Sequence, residues 1–480
     1  MNKTLAIMAS AVVCSLALSA CNGSSANGTT GMGTIPNAAS AQSNQPGGHM
    51  KSNDNGPSSL HAGGATFPAQ AYNTASQPVG TFNQPQAPPG SNSLFAQYGG
   101  VGTIFYCLTG SGAGRKQFDG DPGRLSGTAA CAGLGDTATG FGGRTDPIDF
   151  DASDVMISST EYGVYAANRK STQGEPFMFP TLGGPIVFGY RPGDFSVSHV
   201  KLSTWTYCAI AEGTVGDWND PAITADNGGS VTGGVSAPIT FYFRSDGSGT
   251  TQIFVTKLQS ACGSSWPAPY NSAPYESSGH SAQWTFGPST GSWPGLQTGQ
   301  VGPGGGTYEG ANGNPGVLAG VQSTKYGTGY VEGAYAKSAN PKVSQAILQG
   351  TGTAFVDPTN KAAIKGALAG VTNAAIHFGE CNDLATCGSS RPECILFVPQ
   401  STFVSPPSSD YPIVGLTYGL FYEKNNPKYG DLKTLVNYLT SKPASALINK
   451  LEYAPLSATF HKAVLKALNG HGTVHPCLNP

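Results

Sequence analysis

The run RSDGSGT at residues 244–250 contains side chains and backbone groups that could hold a tetrahedral oxyanion. Its two glycines allow the backbone to turn sharply and expose N–H groups, and Arg244 offers a planar fork of N–H donors. Such donors suit an anion whose oxygens each accept hydrogen bonds. Taken alone, the run could equally be a polar surface turn in which Arg244 pairs with Asp246.

The segments on either side of this run indicate how it is positioned. The apolar residues 238–243 before it predict a strand, and the spacing of apolar residues in 251–262 predicts a helix. Ser248 is then the expected N-cap of that helix. The start of a helix carries partial positive charge, so the run lies where an anion is favoured.

Three further segments place small hydroxyl residues, glycine or a carboxylate at strand-to-helix junctions. They are AGGATFPA at 62–69, TGSGAGRKQ at 109–117 and IDFDASD at 148–154. With 244–250 they come in the order found in the periplasmic phosphate-binding proteins of the high-affinity phosphate ABC transporter. The chain resembles that family in its lipoprotein form, the PstS type. Residues 329–336 and 451–456 also resemble the family, so the likeness covers roughly 60–470.

The resemblance implies an α/β fold of the two-lobed periplasmic-binding-protein kind, similar to type II. Each lobe would be a mixed sheet flanked by helices, with the ligand in the cleft between the lobes. The residues fit an α/β pattern, because apolar runs at 100–106, 185–190 and 412–422 predict buried strands. The apolar spacing at 432–439 and 460–468 predicts two amphipathic helices. The expected lobes are lobe I, 60–182 plus 411–480, and lobe II, 183–410.

The resemblance also implies which residues contact the ligand. The family's ligand contacts fall on Thr66, Phe67, Ser111, Asp154, Arg244, Ser248, Gly249 and Thr250. The hydroxyls and N–H groups in this set would donate to phosphate oxygens, and Asp246 would orient Arg244 or cap the helix instead of touching the ligand. Asp154 would set the specificity, because it can accept the proton that phosphate retains at neutral pH and that sulfate lacks. Taken singly, Thr66 and Ser111 also fit ordinary turn or cap roles.

The expected function is to bind inorganic phosphate outside the cytoplasm and to deliver it to an ABC-type permease, with no catalytic step, cofactor or metal. One alternative is a secreted phosphatase or a phosphate-ester-binding protein that uses the same oxyanion pocket. Another is a surface scaffold that has kept the fold. A hydrolase needs a nucleophile and a base, but residues 246–249 lack the first glycine of a nucleophile elbow. The eight histidines form no recognisable triad or metal pattern.

The N-terminus has the features of a lipoprotein signal peptide. Residues 1–20 contain one lysine and a short apolar run, and small residues precede Cys21. We therefore expect an acylated Cys21 that anchors a periplasmic protein to a membrane. A flexible tether would follow over 21–58, where large apolar residues are scarce. An ordinary secretory signal is the alternative. Asn22 stands where an aspartate would retain a lipoprotein in the inner membrane. The sequence therefore leaves two locations for the anchor, the inner and the outer membrane.

Eight of the ten cysteines remain if Cys14 leaves with the signal and Cys21 is acylated. An even number in an exported chain indicates disulfides. The suggested pairs are Cys107 with Cys131 and Cys208 with Cys262, and Cys381, Cys387, Cys394 and Cys477 would pair among themselves. A zinc site that combines the first three of these four with His377 is the alternative, although their spacing does not match structural zinc sites.

The composition is typical of an exported, loop-rich protein. Only 11% of the residues are charged, the net charge is −2 and 67 residues are glycine. A near-neutral chain lacks the basic surface that nucleic-acid binding requires, so we expect no nucleic-acid partner. We also expect a monomer. Two inserts, at 119–144 and 378–398, depart from the family pattern and could reshape the mouth of the cleft.

Overall fold

A ten-stranded mixed sheet runs through this protein in the computed structural model. The structure describes residues 59–74, 89–120, 148–263, 283–369, 375–472 and 475–480, which all lie in one compact unit. The strands are β1 (Leu60–Gly64), β2 (Ile104–Leu108), β3 (Phe150–Ser153), β4 (Pro176–Tyr190), β5 (Lys201–Leu202), β6 (Thr240–Arg244), β7 (Thr307–Ala311), β8 (Gly327–Glu332), β9 (Ser344–Gln345), β10 (Ile347–Gln349), β11 (Phe355–Val356), β12 (His377–Phe378), β13 (Leu396–Phe397), β14 (Val414–Tyr422) and β15 (Ala454–Pro455).

The large sheet has the order β2-β1-β3-β14-β4-β8-β6-β7, and the short strands β9 and β15 also pair with β4. β1 is parallel to β2 and β3, and β6 is parallel to β7 and β8. Strand β14 is antiparallel to β3 and β4, and β4 is antiparallel to β8. The fold is therefore mixed α/β, as the sequence predicts.

Strand β4 joins the two parts of this sheet. Its first part, to Pro185, pairs with β14, and its last part, from Ile186 onward, pairs with β8. Every residue of β4 and β14 is buried, which explains their nearly continuous apolar runs. The predicted lobe crossings near 182–184 and 410–412 fall inside β4 and just before β14. The lobe boundaries themselves stay a prediction.

Helices connect the strands. They are α1 (Leu94–Gln97), α2 (Ser111–Asp119), α3 (Ser159–Asn168), α4 (Lys170–Gln173), α5 (Thr204–Glu212), α6 (Pro221–Asn227), α7 (Gly249–Ala261), α8 (Gly313–Ser323), α9 (Gly333–Ser338), α10 (Lys361–Ala367), α11 (Tyr429–Leu439), α12 (Lys442–Lys450) and α13 (Ala458–Asn469). Short 3₁₀ turns occur at Pro192–Asp194, Pro392–Cys394 and Gln400–Thr402, and a π turn at Gln70–Thr74. No helix in the described ranges is long and apolar enough to cross a membrane.

Several predicted elements are confirmed. The predicted strand at 238–243 corresponds to β6, and the helix after it is α7. Ser248 is the N-cap of α7, because its side chain accepts a hydrogen bond from the N–H of Thr251 at 3.1 Å. The two amphipathic helices predicted near the C-terminus are α11 and α13.

The strand predicted at 100–106 begins late, at Ile104. The preceding N–H groups of Val101 and Gly102 donate to the carboxylate of Asp431 on α11, at 2.8 and 3.1 Å, so this segment bonds to a side chain and not to a neighbouring strand. Val101 is 82% exposed, so it is not one of the buried apolar residues on which the prediction of a strand at this position depended.

Three disulfides link described cysteines. They join Cys208 to Cys262, Cys381 to Cys387 and Cys394 to Cys477. The first is the pair suggested from the sequence, and the last four cysteines pair among themselves instead of binding zinc. The signal peptide, Cys21, the tether, Cys131 and almost all of the insert at 119–144 lie outside the described residues, so the corresponding predictions stay predictions.

We expect the Cys208–Cys262 disulfide to contribute more to stability than the Cys381–Cys387 disulfide. The first closes a sequence separation of 54 residues and the second one of 6, and a longer closed loop restricts the unfolded chain more. Replacing Cys208 and Cys262 together by serine should lower the free energy of unfolding by about 2–4 kcal/mol in urea titrations. The matched double serine variant of the short loop should lose less, and an equal or larger loss would contradict this account.

Candidate anion-binding site

The carboxyl ends of three parallel strands bring the first part of the site together. Gly64 at the end of β1 is opposite Leu108 of β2 and Ala152 of β3, so the turns that follow these strands leave the sheet at one edge. Gly64 has a φ of +113°, and a Cβ atom there would lie 2.1 Å from the carbonyl oxygen of Ala152. Only glycine permits this close approach, which sets the first turn beside the third.

Asp154 forms the centre of the site. Its carboxylate is buried and accepts hydrogen bonds from three hydroxyls, those of Ser111 at 3.2 Å, Thr250 at 3.0 Å and Thr417 at 2.9 Å. Its backbone N–H donates to the hydroxyl of Ser111 at 3.1 Å. Three of the predicted ligand residues, from three separate segments, are therefore in contact.

The environment of Asp154 changes its acidity. Burial raises the pKa of Asp154 to about 6, while the hydroxyls of Thr417 and Thr250 and the positive charge of Arg244 oppose this rise. The hydrogen bonds favour the charged carboxylate, and the loss of water favours the neutral acid. The result is an acceptor that gains or loses its proton close to neutral pH.

Arg244 lies at the end of β6 and is almost completely buried. Its Nε and Nη2 atoms donate to the two carboxylate oxygens of Asp246 at 2.6 and 2.5 Å. The Nη1 atom is 3.5 Å from the hydroxyl oxygen of Thr250. This two-point contact fixes the plane of the guanidinium, as the sequence predicts for Asp246, and turns its remaining N–H groups toward Thr250.

The start of α7 supplies backbone donors. Ser248, Gly249 and Thr250 are buried, and the N–H groups of the last two lie in the first helical turn, where the helix itself provides no acceptor. A Cβ atom on Gly249 would lie 2.7 Å from the Cβ of Asp154 and 2.8 Å from the hydroxyl of Ser111. Glycine at this position therefore lets the helix start approach the carboxylate.

Thr66 and Phe67 are held by a different set of contacts. The hydroxyl oxygen of Thr66 accepts hydrogen bonds from the backbone N–H and the side-chain amide of Asn314 on α8, both at 3.1 Å. Their carbonyl oxygens accept from the hydroxyls of Tyr335 at 2.6 Å and Tyr453 at 2.7 Å. These two residues are thus fixed in place without a hydrogen bond to Asp154.

Asp246 connects the two sets. Besides binding Arg244, its Oδ1 atom accepts a hydrogen bond from the N–H of Gly313 at 2.8 Å, and Gly313 is the residue before Asn314. The start of α8 thus bonds both to Asp246, which holds the guanidinium, and to Thr66. All eight predicted ligand residues are buried.

Two glycines bring backbone segments into direct contact beside this centre. The N–H of Gly112 donates to the carbonyl oxygen of Gly247 at 2.8 Å. A Cβ atom on Gly112 would be 2.9 Å from the Cα of Gly247, and one on Gly247 would be 3.1 Å from the Cα of Gly112. The segment that carries Ser111 and the segment before α7 therefore touch with no room for a side chain at either position.

A buried carboxyl group that the sequence analysis did not consider, that of Glu332, lies next to the Thr66 segment. The hydroxyl of Tyr453 is 2.8 Å from Oε2 of Glu332 and 2.7 Å from the carbonyl oxygen of Phe67. The phenol has one proton for these two acceptors, so it supplies Glu332 with at most a shared hydrogen bond. Burial raises the pKa of Glu332 to about 8, in agreement with a neutral acid.

The sequence analysis also missed Thr417 and Asn314. Thr417 is the one residue with an aliphatic hydroxyl in the buried strand β14, and a buried hydroxyl needs a partner. That signal could have identified Thr417 as a residue with a buried hydrogen-bond partner. It could not have identified this partner as Asp154. Asn314 carries no comparable signal, because it lies in a glycine-rich stretch that reads as a turn.

Comparisons with known proteins identify the family and the fold. The family model of the PBP superfamily domain matches residues 58–443. The chain belongs to the PBP superfamily. The family predicted from the sequence is therefore confirmed at this level, and so is the α/β fold of a periplasmic binding protein.

Members of the PBP superfamily with similar sequences include phosphate-binding protein PstS 3 of Mycobacterium leprae, 28% identical over 323 residues that cover 67% of this chain and 66% of that protein. Phosphate-binding protein PstS of Methanocaldococcus jannaschii is 29% identical over 262 residues, which cover 54% of this chain and 57% of that protein. The alignments thus span less than two thirds of the length of these curated relatives.

Solved structures of the PBP superfamily share the fold at lower sequence identity. A high-affinity periplasmic phosphate-binding protein bound with phosphate, PfluDING, has a TM-score of 0.57 and 20% identity, and the alignment covers 87% of this chain and 96% of that one. The phosphate-binding protein from Stenotrophomonas maltophilia has a TM-score of 0.55 and 19% identity, with 85% and 92% covered. Both support the two-lobed fold.

The neutral state of Glu332 makes the stability of this PBP superfamily member depend on pH. The folded-state pKa of about 8 lies above the ordinary value of 4.5, so the unfolded chain releases this proton first. The contribution is complete below the ordinary pKa and is lost as the pH rises to about 8, by about 1.4 kcal/mol per pH unit at most. Glu332→Gln should flatten this decline in urea titrations between pH 5 and 8.

Glu332→Ala is the comparison variant for this experiment. It also removes the titrating group, but it abolishes the hydrogen bonds to Tyr453 and to the N–H of Ala334, which glutamine can retain. Only the alanine variant should therefore be less stable at pH 5. An unchanged slope in Glu332→Gln would show that Glu332 is ionised in the folded protein.

Proposed function

We propose that this protein binds inorganic phosphate at the site around Asp154, outside the cytoplasm, and delivers it to an ABC-type permease. The observation that carries the proposal is a buried carboxylate surrounded by hydroxyl donors and facing an oriented guanidinium. The curated relatives and the structural neighbours are named as phosphate-binding proteins, which supports the same ligand.

The acceptor among the donors explains the choice of anion. At neutral pH phosphate keeps at least one proton, which it can donate to Asp154, whereas sulfate is fully ionised and would face the carboxylate with no proton between them. A site that accepts a hydrogen bond from a proton of the ligand discriminates against an analogue without that proton, by a factor of roughly 10⁴ or more. Asp154 thereby repels a fully ionised anion and accepts a hydrogen bond from a protonated one, which makes the proposed site selective for a protonated oxyanion.

The donors come from the predicted ligand set. The hydroxyls of Ser111 and Thr250 turn from Asp154 to phosphate oxygens, and Arg244 adds the N–H groups that Asp246 does not hold. The first-turn N–H groups of Gly249 and Thr250 and the N–H of Phe67 complete the set. Each donor lies on a short turn held by the sheet, so little order is lost when the ligand binds.

The protein acts without catalysis in this proposal, as a monomeric periplasmic carrier that is tethered to the membrane through the lipid on Cys21. Closure over phosphate would create the surface that the permease recognises. Two of the hydroxyls that donate to Asp154, those of Ser111 and Thr250, belong to the predicted ligand set, which fits a binding role for this carboxylate. Measurable hydrolysis of p-nitrophenyl phosphate by the purified protein would instead favour the hydrolase alternative.

Isothermal titration with phosphate, arsenate and sulfate tests the proposal. We expect phosphate and arsenate to bind and sulfate to bind at least about 10⁴-fold more weakly. Asp154→Asn should weaken phosphate binding and remove most of this discrimination, because an amide no longer requires a ligand proton. Asp149→Asn is the matched control, since Asp149 is a partly buried aspartate that pairs with Lys428 at 3.0 Å. Unchanged selectivity in Asp154→Asn would refute the assignment.

The contact between Gly112 and Gly247 should control affinity. Gly112→Ala forces the two segments apart by several tenths of an ångström, so we expect phosphate affinity to fall by about tenfold or more in the same titrations. Helix propensity cannot explain such a loss, because alanine is favoured over glycine in α2. Gly163→Ala on α3, where a Cβ atom meets nothing within 4 Å, should bind as the wild type does. Wild-type affinity in Gly112→Ala would show that the contact is dispensable.

A further inference from the structure

Asn314 bridges two segments that the sequence assigns to different lobes. It lies in the first turn of α8, is fully buried, and contacts Thr66 of the turn after β1. Its side-chain Oδ1 accepts a hydrogen bond from the backbone N–H of Glu332 at 3.2 Å. Because that N–H can only donate, the amide oxygen must face Glu332, and the NH₂ group must face Thr66.

The hydrogen bonds at Thr66 have a directional consequence. A hydroxyl oxygen has two acceptor positions and one proton. The N–H and the NH₂ of Asn314 both donate to this oxygen at 3.1 Å, so they occupy the two acceptor positions. The proton of Thr66 must then point away from Asn314 and is available to donate to another group.

The start of α8 depends on the same contact. Its own N-cap residue, Asn312, makes no side-chain capping hydrogen bond, and the first N–H groups of the helix bond instead to Asp246 and Thr66. Helix starts leave several N–H groups without intrahelical partners. The helix start is thus completed by one residue that orients Arg244 and by one residue of the predicted ligand set.

We propose that Asn314 is a positioning residue for phosphate, which directs the hydroxyl proton of Thr66 toward the ligand by filling both of its acceptor positions. The inference rests on the proposed function, and it assigns a role to a residue outside the predicted ligand set. Asn314 acts through Thr66 and does not itself touch phosphate. Without the side-chain amide, one acceptor position of the Thr66 hydroxyl is vacant, and the hydroxyl can rotate to present a lone pair to an anionic oxygen.

A double-mutant cycle tests the proposal by phosphate titration calorimetry. Asn314→Ala should weaken phosphate binding by about tenfold, the size expected when one hydrogen bond to a charged ligand is lost. Thr66→Val removes the hydroxyl and keeps the shape of the side chain. Adding Asn314→Ala to Thr66→Val should then change affinity by less than about twofold, because the group through which Asn314 acts is absent.

Asn426→Ala is the matched control. Asn426 is also a buried asparagine whose amide donates two hydrogen bonds, to the carbonyl oxygens of Tyr422 at 2.9 Å and Asn479 at 2.8 Å. Its replacement should leave phosphate affinity within about twofold of the wild type. If Asn314→Ala does not fold, Asn314→Ser serves in both backgrounds, since its shorter side chain cannot supply the second donor to Thr66.

The outcomes separate this inference from the proposed function. A wild-type protein that binds no phosphate would refute the function, and the inference with it. A wild type that binds phosphate, together with an equal loss from Asn314→Ala in the native and Thr66→Val backgrounds, would overturn only the inference. Wild-type affinity in Asn314→Ala would overturn it as well.

Discussion

The interaction on which the rest of the structure depends is the burial of the Asp154 carboxylate among hydroxyl groups. A buried charge without partners costs several kcal/mol, so the fold must supply donors from every side. Ser111, Thr250 and Thr417 come from three separate segments and meet at this one group. The sheet order, the parallel strands that end together and the close glycine contacts can all be understood as means of bringing them there.

The position of Thr417 shows that the central strands of the sheet also supply a donor to the buried carboxylate. The strand that carries Thr417 is buried along its whole length, and its pairing with β4 shifts register between Thr417 and Tyr418. Such an irregularity re-aims a side chain relative to a regular strand. The carbonyl of Thr417 also accepts from Thr181 at 3.1 Å, which bonds to Tyr72. The orientation of Asp154 is thus tied to the central strands of the sheet.

The sequence predicts the local parts of this site better than their assembly. The strand, turn and helix around 244–250 follow from apolar spacing and from Ser248, because those signals act within a few residues. The contacts of Thr417, Asn314 and Glu332 depend on register and on helix placement across more than a hundred residues. A polar residue in an apolar strand signals only that a partner exists.

Electrostatics explains why so many neutral donors are needed. Asp154 and Asp246 offset more than the single positive charge of Arg244, so the charged groups of the site alone would not attract an anion. The favourable field must come from hydroxyl and N–H dipoles held at fixed positions, which are strongest where water is excluded. A proton on Glu332 avoids a further negative charge beside this centre, and the burial of the carboxyl group favours that proton. In a chain with a net charge of −2, the proposed selectivity for a protonated oxyanion therefore depends on the direction of each hydrogen bond, and not on the total charge.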